Sequence, residues 1–281
     1  MRLSILLLAF ASFLLFSCQK EVDFANNGNG GNGGNGGNSG TVLTKIVSKS
    51  ATDSSSLLFG FNSSQQLMTL DLIDASGGTT SITNERVERN SQGVIQKLII
   101  KNDQYRQAGL DSVETIIGSS SGRYVSKVTT IDLGVVLFKD SVALIYDGNG
   151  RVVTAETFDD TGSGIYDTTS KTDYTYSGNN ISSIKIYNYD ASSSSYSLQE
   201  TFTYDEYDNK ISPMTIGNEA FVFDSPELYS ANNPTKSSVS VSGSTQTYNT
   251  TYAYNSANRP ATATSIILPP DTTITGTYYY K

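Results

Sequence analysis

The stretch Leu144–Val153 reads Leu-Ile-Tyr-Asp-Gly-Asn-Gly-Arg-Val-Val: an apolar strand, a turn at Asp147–Gly150, and a returning strand. Comparable turns begin at Asn62, Asn90, Gly118, Asp147, Ser177, Asp205 and Asn255. The steps between them run from 28 to 30 residues up to Asp205, and a single step of 50 follows. A near-constant period of this kind marks a stacked array of one supersecondary unit. About 28 residues accommodate two strands of ordinary length and two turns. The unit is therefore a β-hairpin, and the chain is a series of them.

Side chains along a strand alternate between faces with period two. The residues one and three before each turn thus share a face: Phe61/Phe59, Arg89/Val87, Ile117/Thr115, Tyr146/Leu144, Tyr176/Tyr174, Tyr204/Phe202 and Tyr254/Tyr252. Apart from Arg89 and Thr115 this is a ladder of large apolar or aromatic groups, which predicts a continuous packed face. After several turns apolar residues fall three apart, as in Leu67/Leu70, Ile95/Leu98, Ile181/Ile184 and Ile211/Met214. Strict alternation would place each pair on opposite faces. A β-bulge just after the turn brings them back to one.

The N-terminus has a different character. Residues 1–17 form a signal segment, with Arg2 ahead of the apolar stretch Leu3–Phe16, which is shorter than the roughly 20 residues a spanning helix needs. Leu15-Phe16-Ser17-Cys18 resembles the lipobox of bacterial lipoproteins, which makes Cys18 the expected lipid attachment and the membrane a partner through that anchor. Gln19-Lys20-Glu21-Val22-Asp23 resembles the export signal of Bacteroidota surface lipoproteins, so an outer-membrane, cell-surface address is expected, with the periplasmic face as the alternative. Residues 18–40 continue as a tether. Ala25–Gly40 is almost wholly Asn and Gly, too polar to fold, with a flexible span of roughly 20–25 Å. Residues 41–281 read as one β-repeat domain. An insertion is expected at about 212–247, where Pro213, Pro226 and Pro234 interrupt regular strands.

The formal net charge of −8 argues against a nucleic-acid partner, which calls for a basic patch. The chain contains no histidine, and its one cysteine is the expected lipid site. That removes histidine triads, thiol nucleophiles, histidine metal sites and the commonest general base. Carboxylates alone can perform glycoside hydrolysis in pairs. Asp159/Asp160, Asp205/Glu206/Asp208 and Glu219/Asp224 are the candidates, but each sits in or beside a turn, where solvated acids are ordinary. No enzyme activity, cofactor or metal is expected. The 18 tyrosines, unaccompanied by tryptophan, raise a binding reading instead, although Tyr146, Tyr174, Tyr176, Tyr204 and Tyr254 are expected to pack the repeat. Tyr187 and Tyr189 lie outside the ladder's register, and together with Tyr278, Tyr279 and Tyr280 they are the candidate ligand contacts.

Tyr146-Asp147-Gly148-Asn149-Gly150-Arg151-Val152 resembles the YD repeat of the Rhs family. Tyr207-Asp208-Asn209-Lys210, Asn232-Asn233-Pro234-Thr235-Lys236 and Thr251-Tyr252-Ala253-Tyr254-Asn255 together are similar to a group of Bacteroidota lipoproteins of unknown function. The resemblance spans residues 41–281, carries no catalytic residues, and implies a single curved antiparallel meander of repeated hairpins. About 14–16 strands would fill that length. The functional expectation is a non-enzymatic, outer-membrane-anchored surface lipoprotein that binds a glycan, a peptide or a partner protein. The alternative is a structural or assembly component of the envelope without a small ligand.

Overall fold

The computed structural model describes residues 41–132, 136–160, 164–269 and 271–281. The signal segment, Cys18 and the tether lie outside the described residues. The first eight strands are β1 (Leu43–Lys49), β2 (Ser54–Phe61), β3 (Leu67–Ser76), β4 (Thr79–Arg89), β5 (Ile95–Asn102), β6 (Val113–Ser120), β7 (Arg123–Asp132) and β8 (Val136–Tyr146). The second eight are β9 (Val152–Asp160), β10 (Asp167–Ser177), β11 (Asn180–Asp190), β12 (Ser195–Tyr207), β13 (Pro234–Val241), β14 (Ser244–Tyr254), β15 (Pro260–Leu268) and β16 (Thr272–Tyr280). A short helix α1 (Asp103–Gln107) caps the β5–β6 connection, and α2 (Glu219–Val222) lies between β12 and β13.

Each strand pairs antiparallel with its neighbours in sequence, and β1 pairs with β16, where Ile46 lies opposite Tyr278. The sheet is therefore a closed barrel of 16 strands. This corrects the open curved meander expected from the sequence. An open sheet would leave two rows of unpaired backbone groups at its edges, and closure removes them.

The ladder faces the lumen. Phe59, Val87, Ile117, Leu144, Tyr174 and Phe202 are buried in one core, with Phe61, Tyr146, Tyr176 and Tyr204 packed against it. Tyr278 and Tyr280 join the same core, so they close the ladder instead of standing apart from it. The bulges fall where the three-residue spacing required them. Gly60 pairs with Thr69 but Phe61 with Leu67, leaving Met68 as the extra residue. Equivalent shifts precede Arg89↔Ile95, Tyr146↔Val152, Tyr176↔Ile181 and Tyr254↔Pro260. Leu67 and Leu70, Ile95 and Leu98, and Ile181 and Ile184 are consequently all buried. The pair Ile211/Met214 is different: it lies in an irregular connection, where Met214 is buried and Ile211 exposed.

One turn design recurs. The side-chain oxygen of Asn62 accepts from the N–H groups of Ser64 and Gln66. Asn90, Asp147 and Asn255 accept from the residues two and four ahead in the same way. At the sixth turn this position belongs to Asp208, not Asp205. Its carboxylate takes the N–H of Lys210 and then, across the inserted stretch, that of Asn233. The insertion expected at about 212–247 is thus confined to the Asp208–Asn233 connection. Pro234 opens β13, a position where its missing N–H is tolerated.

Neighbouring hairpins are fastened from inside the barrel. The Tyr146 hydroxyl donates to the Tyr124 carbonyl at 2.7 Å, and that of Tyr207 to Ile181 at 2.7 Å. Tyr252 reaches Pro234 at 3.1 Å, Tyr280 reaches Pro260 at 2.8 Å, and Tyr176 donates to Val152. Each acceptor lies at the start of the preceding hairpin's returning strand. Arg89 breaks the aromatic ladder but keeps the function, donating from Nη2 to the Leu67 carbonyl at 2.8 Å.

The Asp208–Asn233 connection seals one end of the barrel. Ala220, Phe221, Val222, Phe223 and Leu228 are buried in the ladder's core. Phe221 meets the Tyr174 ring edge-on at 4.9 Å, and Tyr229 meets Tyr176 at 5.3 Å. The Glu219 carboxylate receives both terminal nitrogens of Arg89, at 2.6 and 2.8 Å, and the Tyr124 hydroxyl at 3.1 Å. Asn218 donates to the Gly150 carbonyl, and Arg259 to that of Ser212.

Truncating a large buried aromatic typically costs about 3–5 kcal/mol, so Tyr176→Ala should lower the denaturant midpoint strongly. Tyr187 points to the outer wall, and Tyr187→Ala should stay within about 1 kcal/mol of the parent. Paired urea melts compare the two, and equal small losses would mean that the ladder does not carry the packing.

Candidate binding site in the lumen

Above the plug, the lumen changes from apolar to acidic. The alternation that buries Val87 and Leu144 also turns Glu85, Asp140 and Asp159 inward, as the pairing of Leu144 with Ala155 and of Asp140 with Asp159 requires. The plug contributes Asp224 and Glu227. The neighbouring inward cation is Lys127, almost fully buried, whose ammonium is paired with the Asp224 carboxylate.

These acids hold their protons unusually tightly. Burial, aided by Asp224 and opposed by Lys127, pushes Glu85 up to about 8. Burial together with Asp224 pushes Glu227 up to about 8. Asp140 is raised to about 6 by burial and by Asp159. Desolvation disfavours the ionised form, and a like charge nearby adds to the effect.

A cavity of about 210 Å³ opens where the plug meets β11–β15. Ile184, Ile186, Phe202, Tyr204, Val239 and Tyr248 supply an apolar wall, and Ser237, Ser238, Thr250 and Ser265 supply hydroxyls. Asp224, Pro226 and Glu227 form its plug side. A mostly apolar hollow with a few convergent polar groups is the usual form of a small-molecule site. Among the described residues, no group of three Asp, Glu, His or Cys side chains is arranged to hold a metal ion.

The tyrosines singled out from the sequence do not form one site. Tyr278 and Tyr280 belong to the lumen ladder, while Tyr279 is exposed on the outer wall beneath the Lys45 ammonium. Tyr187 and Tyr189 also lie outside, in a cluster with Tyr196. The Tyr189 and Tyr196 rings are 5.1 Å apart, and Lys171 sits between Tyr187 and Tyr196 at 4.8 and 5.1 Å. Tyr196 donates to Glu156. Cys18 lies outside the described residues. Of the carboxylate candidates, Glu219 is occupied by Arg89 and Asp208 organises its turn, whereas Asp159 and Asp224 face the lumen. Glu85, Asp140 and Glu227 went unread. The first two could have been found by parity, since each sits an even number of residues from a ladder position.

Solved structures with this architecture exist. A porin-like protein from Bacteroides uniformis ATCC 8492 superposes with a TM-score of 0.52 at 14% identity, over 86% of this chain and 98% of that one. A porin-like protein from Bacteroides vulgatus ATCC 8482 gives 0.50 at 13% identity, over 86% and 99%. No family model and no curated protein matches the sequence. At such identity the likeness concerns the fold. It overturns the resemblance to the YD repeat of the Rhs family and to the lipoprotein group drawn from the same turns, because the neighbours share the closed barrel and not an open repeat sheet.

The raised acids set a pH dependence with a definite sign. Between the ordinary glutamate value of 4.5 and about 8, the folded chain holds protons that the unfolded chain releases. Stability must therefore fall as pH rises through that window. Urea midpoints should be higher at pH 5 than at pH 8, and Glu85→Gln should flatten the difference. A midpoint that rises with pH would contradict the lumen's acidity.

Proposed function

We propose that this chain is a non-enzymatic envelope protein whose barrel stands in water on a lipid-anchored tether and serves as a closed-bottomed cup for a small ligand. The observation that carries the reading is the polarity of the wall. The inner face is apolar beside the plug, and the outer face is charged at mid-strand. Asp71 accepts from Asn84 across β3 and β4, Lys97 lies between Glu88 and Glu114, and Lys171 pairs with Asp173. A barrel that crosses a bilayer needs an outward apolar band, and a Lys or Arg at its midplane costs roughly 2–4 kcal/mol. The outer wall here supports a solvated setting instead.

The plug supports a cup over a channel. It fills one end with buried aromatic and aliphatic side chains, and its ion pair with Arg89 is set among them. The chain enters β1 at this same end, where Val42 and Lys281 exchange backbone hydrogen bonds. Thr41 therefore stands at the sealed end, and a tether joined to it would leave the lumen open on the side away from the point of attachment. The lipobox at Cys18 supports the anchor, and the segment after it supports a place on the outer membrane.

Cys18→Ala should move the protein from the membrane fraction to the soluble fraction, without detergent, and the purified chain should give no conductance in planar bilayers. Retention of the variant in membranes after a carbonate wash, or channel activity, would replace the tethered cup with a spanning barrel.

A further inference from the structure

The lumen cavity is chemically lopsided. Its wall offers Ile186, Phe202, Tyr204 and Tyr248, its plug side offers Asp224 and Glu227, and no lysine or arginine lines it. Asp224 is already matched by Lys127. Glu227 is not: its Oε1 is buried and meets no hydrogen-bond partner. A buried acceptor without a donor is costly, and more so when charged. Burial and the neighbouring Asp224 accordingly make Glu227 retain its proton. The position lacks a positive donor.

We infer that the cavity takes a small organic cation, with its ammonium group against Glu227 and its apolar body against Phe202, Ile186 and the Tyr204 and Tyr248 rings. The inference rests on the cup reading and adds the ligand's class. Four features favour it. An ammonium supplies the donors that the Glu227 oxygen lacks and the charge that allows it to ionise. Tyrosine faces attract cations within about 6 Å of the ring centre. A cation in the lumen would also stabilise the ionised forms of Glu85 and Asp140, which burial and neighbouring acids otherwise keep protonated. Finally, the volume of about 210 Å³ lies below the roughly 300–1,000 Å³ of pockets for drug-sized molecules. It suits one ring or a short aliphatic chain bearing an amine.

Calorimetric titration of the purified full-length protein with 2-phenylethylamine, 2-phenylethanol and 3-phenylpropanoate tests the class directly. The amine should bind at least about tenfold more tightly than the alcohol, a gap of about 1.4 kcal/mol, and the carboxylate should not bind. Glu227→Gln should remove the amine's advantage while leaving the alcohol's affinity unchanged, which also shows that the variant is folded. Equal affinity for amine and alcohol would overturn the cation assignment and leave the cup. So would an amine preference that survives Glu227→Gln. Binding of none of the three would overturn the assignment, and the fractionation of Cys18→Ala then reports separately on whether the barrel stands in water.

Discussion

The structure depends on how each hairpin is fastened to the one before it. Backbone pairing alone sets neighbouring strands side by side but does not define how far each returning strand slides. Side chains projecting from the lumen do that. Tyr146, Tyr176, Tyr207, Tyr252 and Tyr280 each place a hydroxyl on the first carbonyls of the preceding returning strand. The bulge after each turn leaves those carbonyls outside the regular ladder of strand pairing, so an inward donor is needed there. The same ring that satisfies the carbonyl also fills the core. Arg89 shows which half of the role is indispensable, since it abandons the ring and keeps the donor.

Much of this was legible in the residues. The period, the shared face of the ladder and the bulges all follow from apolar residues at spacings of two and three, and the structure has them. Closure was not legible in the same way. The β1–β16 pair joins residues more than 200 positions apart, and no local spacing announces such a contact. A trace was present nonetheless: Tyr278 and Tyr280 sit before Lys281 as Tyr252 and Tyr254 sit before Asn255. The seat of the plug was hidden for a different reason. Glu219 reads as a solvated turn acid until the fold brings Arg89 to it across the barrel. The shift from Asp205 to Asp208 arose because Tyr204 and Tyr207 both precede an acid, and only the bond to Asn233 distinguishes them.

A barrel can be assigned the wrong surroundings if topology is considered without polarity. Sixteen antiparallel strands with one plugged end suit an outer-membrane protein or a soluble vessel equally well, because hydrogen bonding closes the sheet in either solvent. What differs is the face that carries the apolar residues. Here the inner face buries Leu, Ile, Phe and Tyr, and the outer face sets Lys97, Glu114, Lys171 and Asp173 among exposed apolar residues such as Ile116, Ile145 and Leu198. The plug completes the interior as a helix would complete the core of an ordinary α/β protein. The acids above it remain beyond the reach of that packing, and this is where chemistry is available.

The junction between Val42 and Lys281 has a further meaning. The Val42 N–H meets the Lys281 carbonyl at 3.3 Å, and the Lys281 N–H meets that of Val42 at 3.0 Å. The seam where the ring was sewn is thus stitched like every other pair of strands, and termini this close are what circular permutation exploits. Joining Lys281 to Thr41 and cutting between Gly77 and Gly78, in an exposed two-residue turn, would retain every strand pair. The ring has no privileged first strand, and the order of the strands along the chain is one of several that the same closed sheet admits.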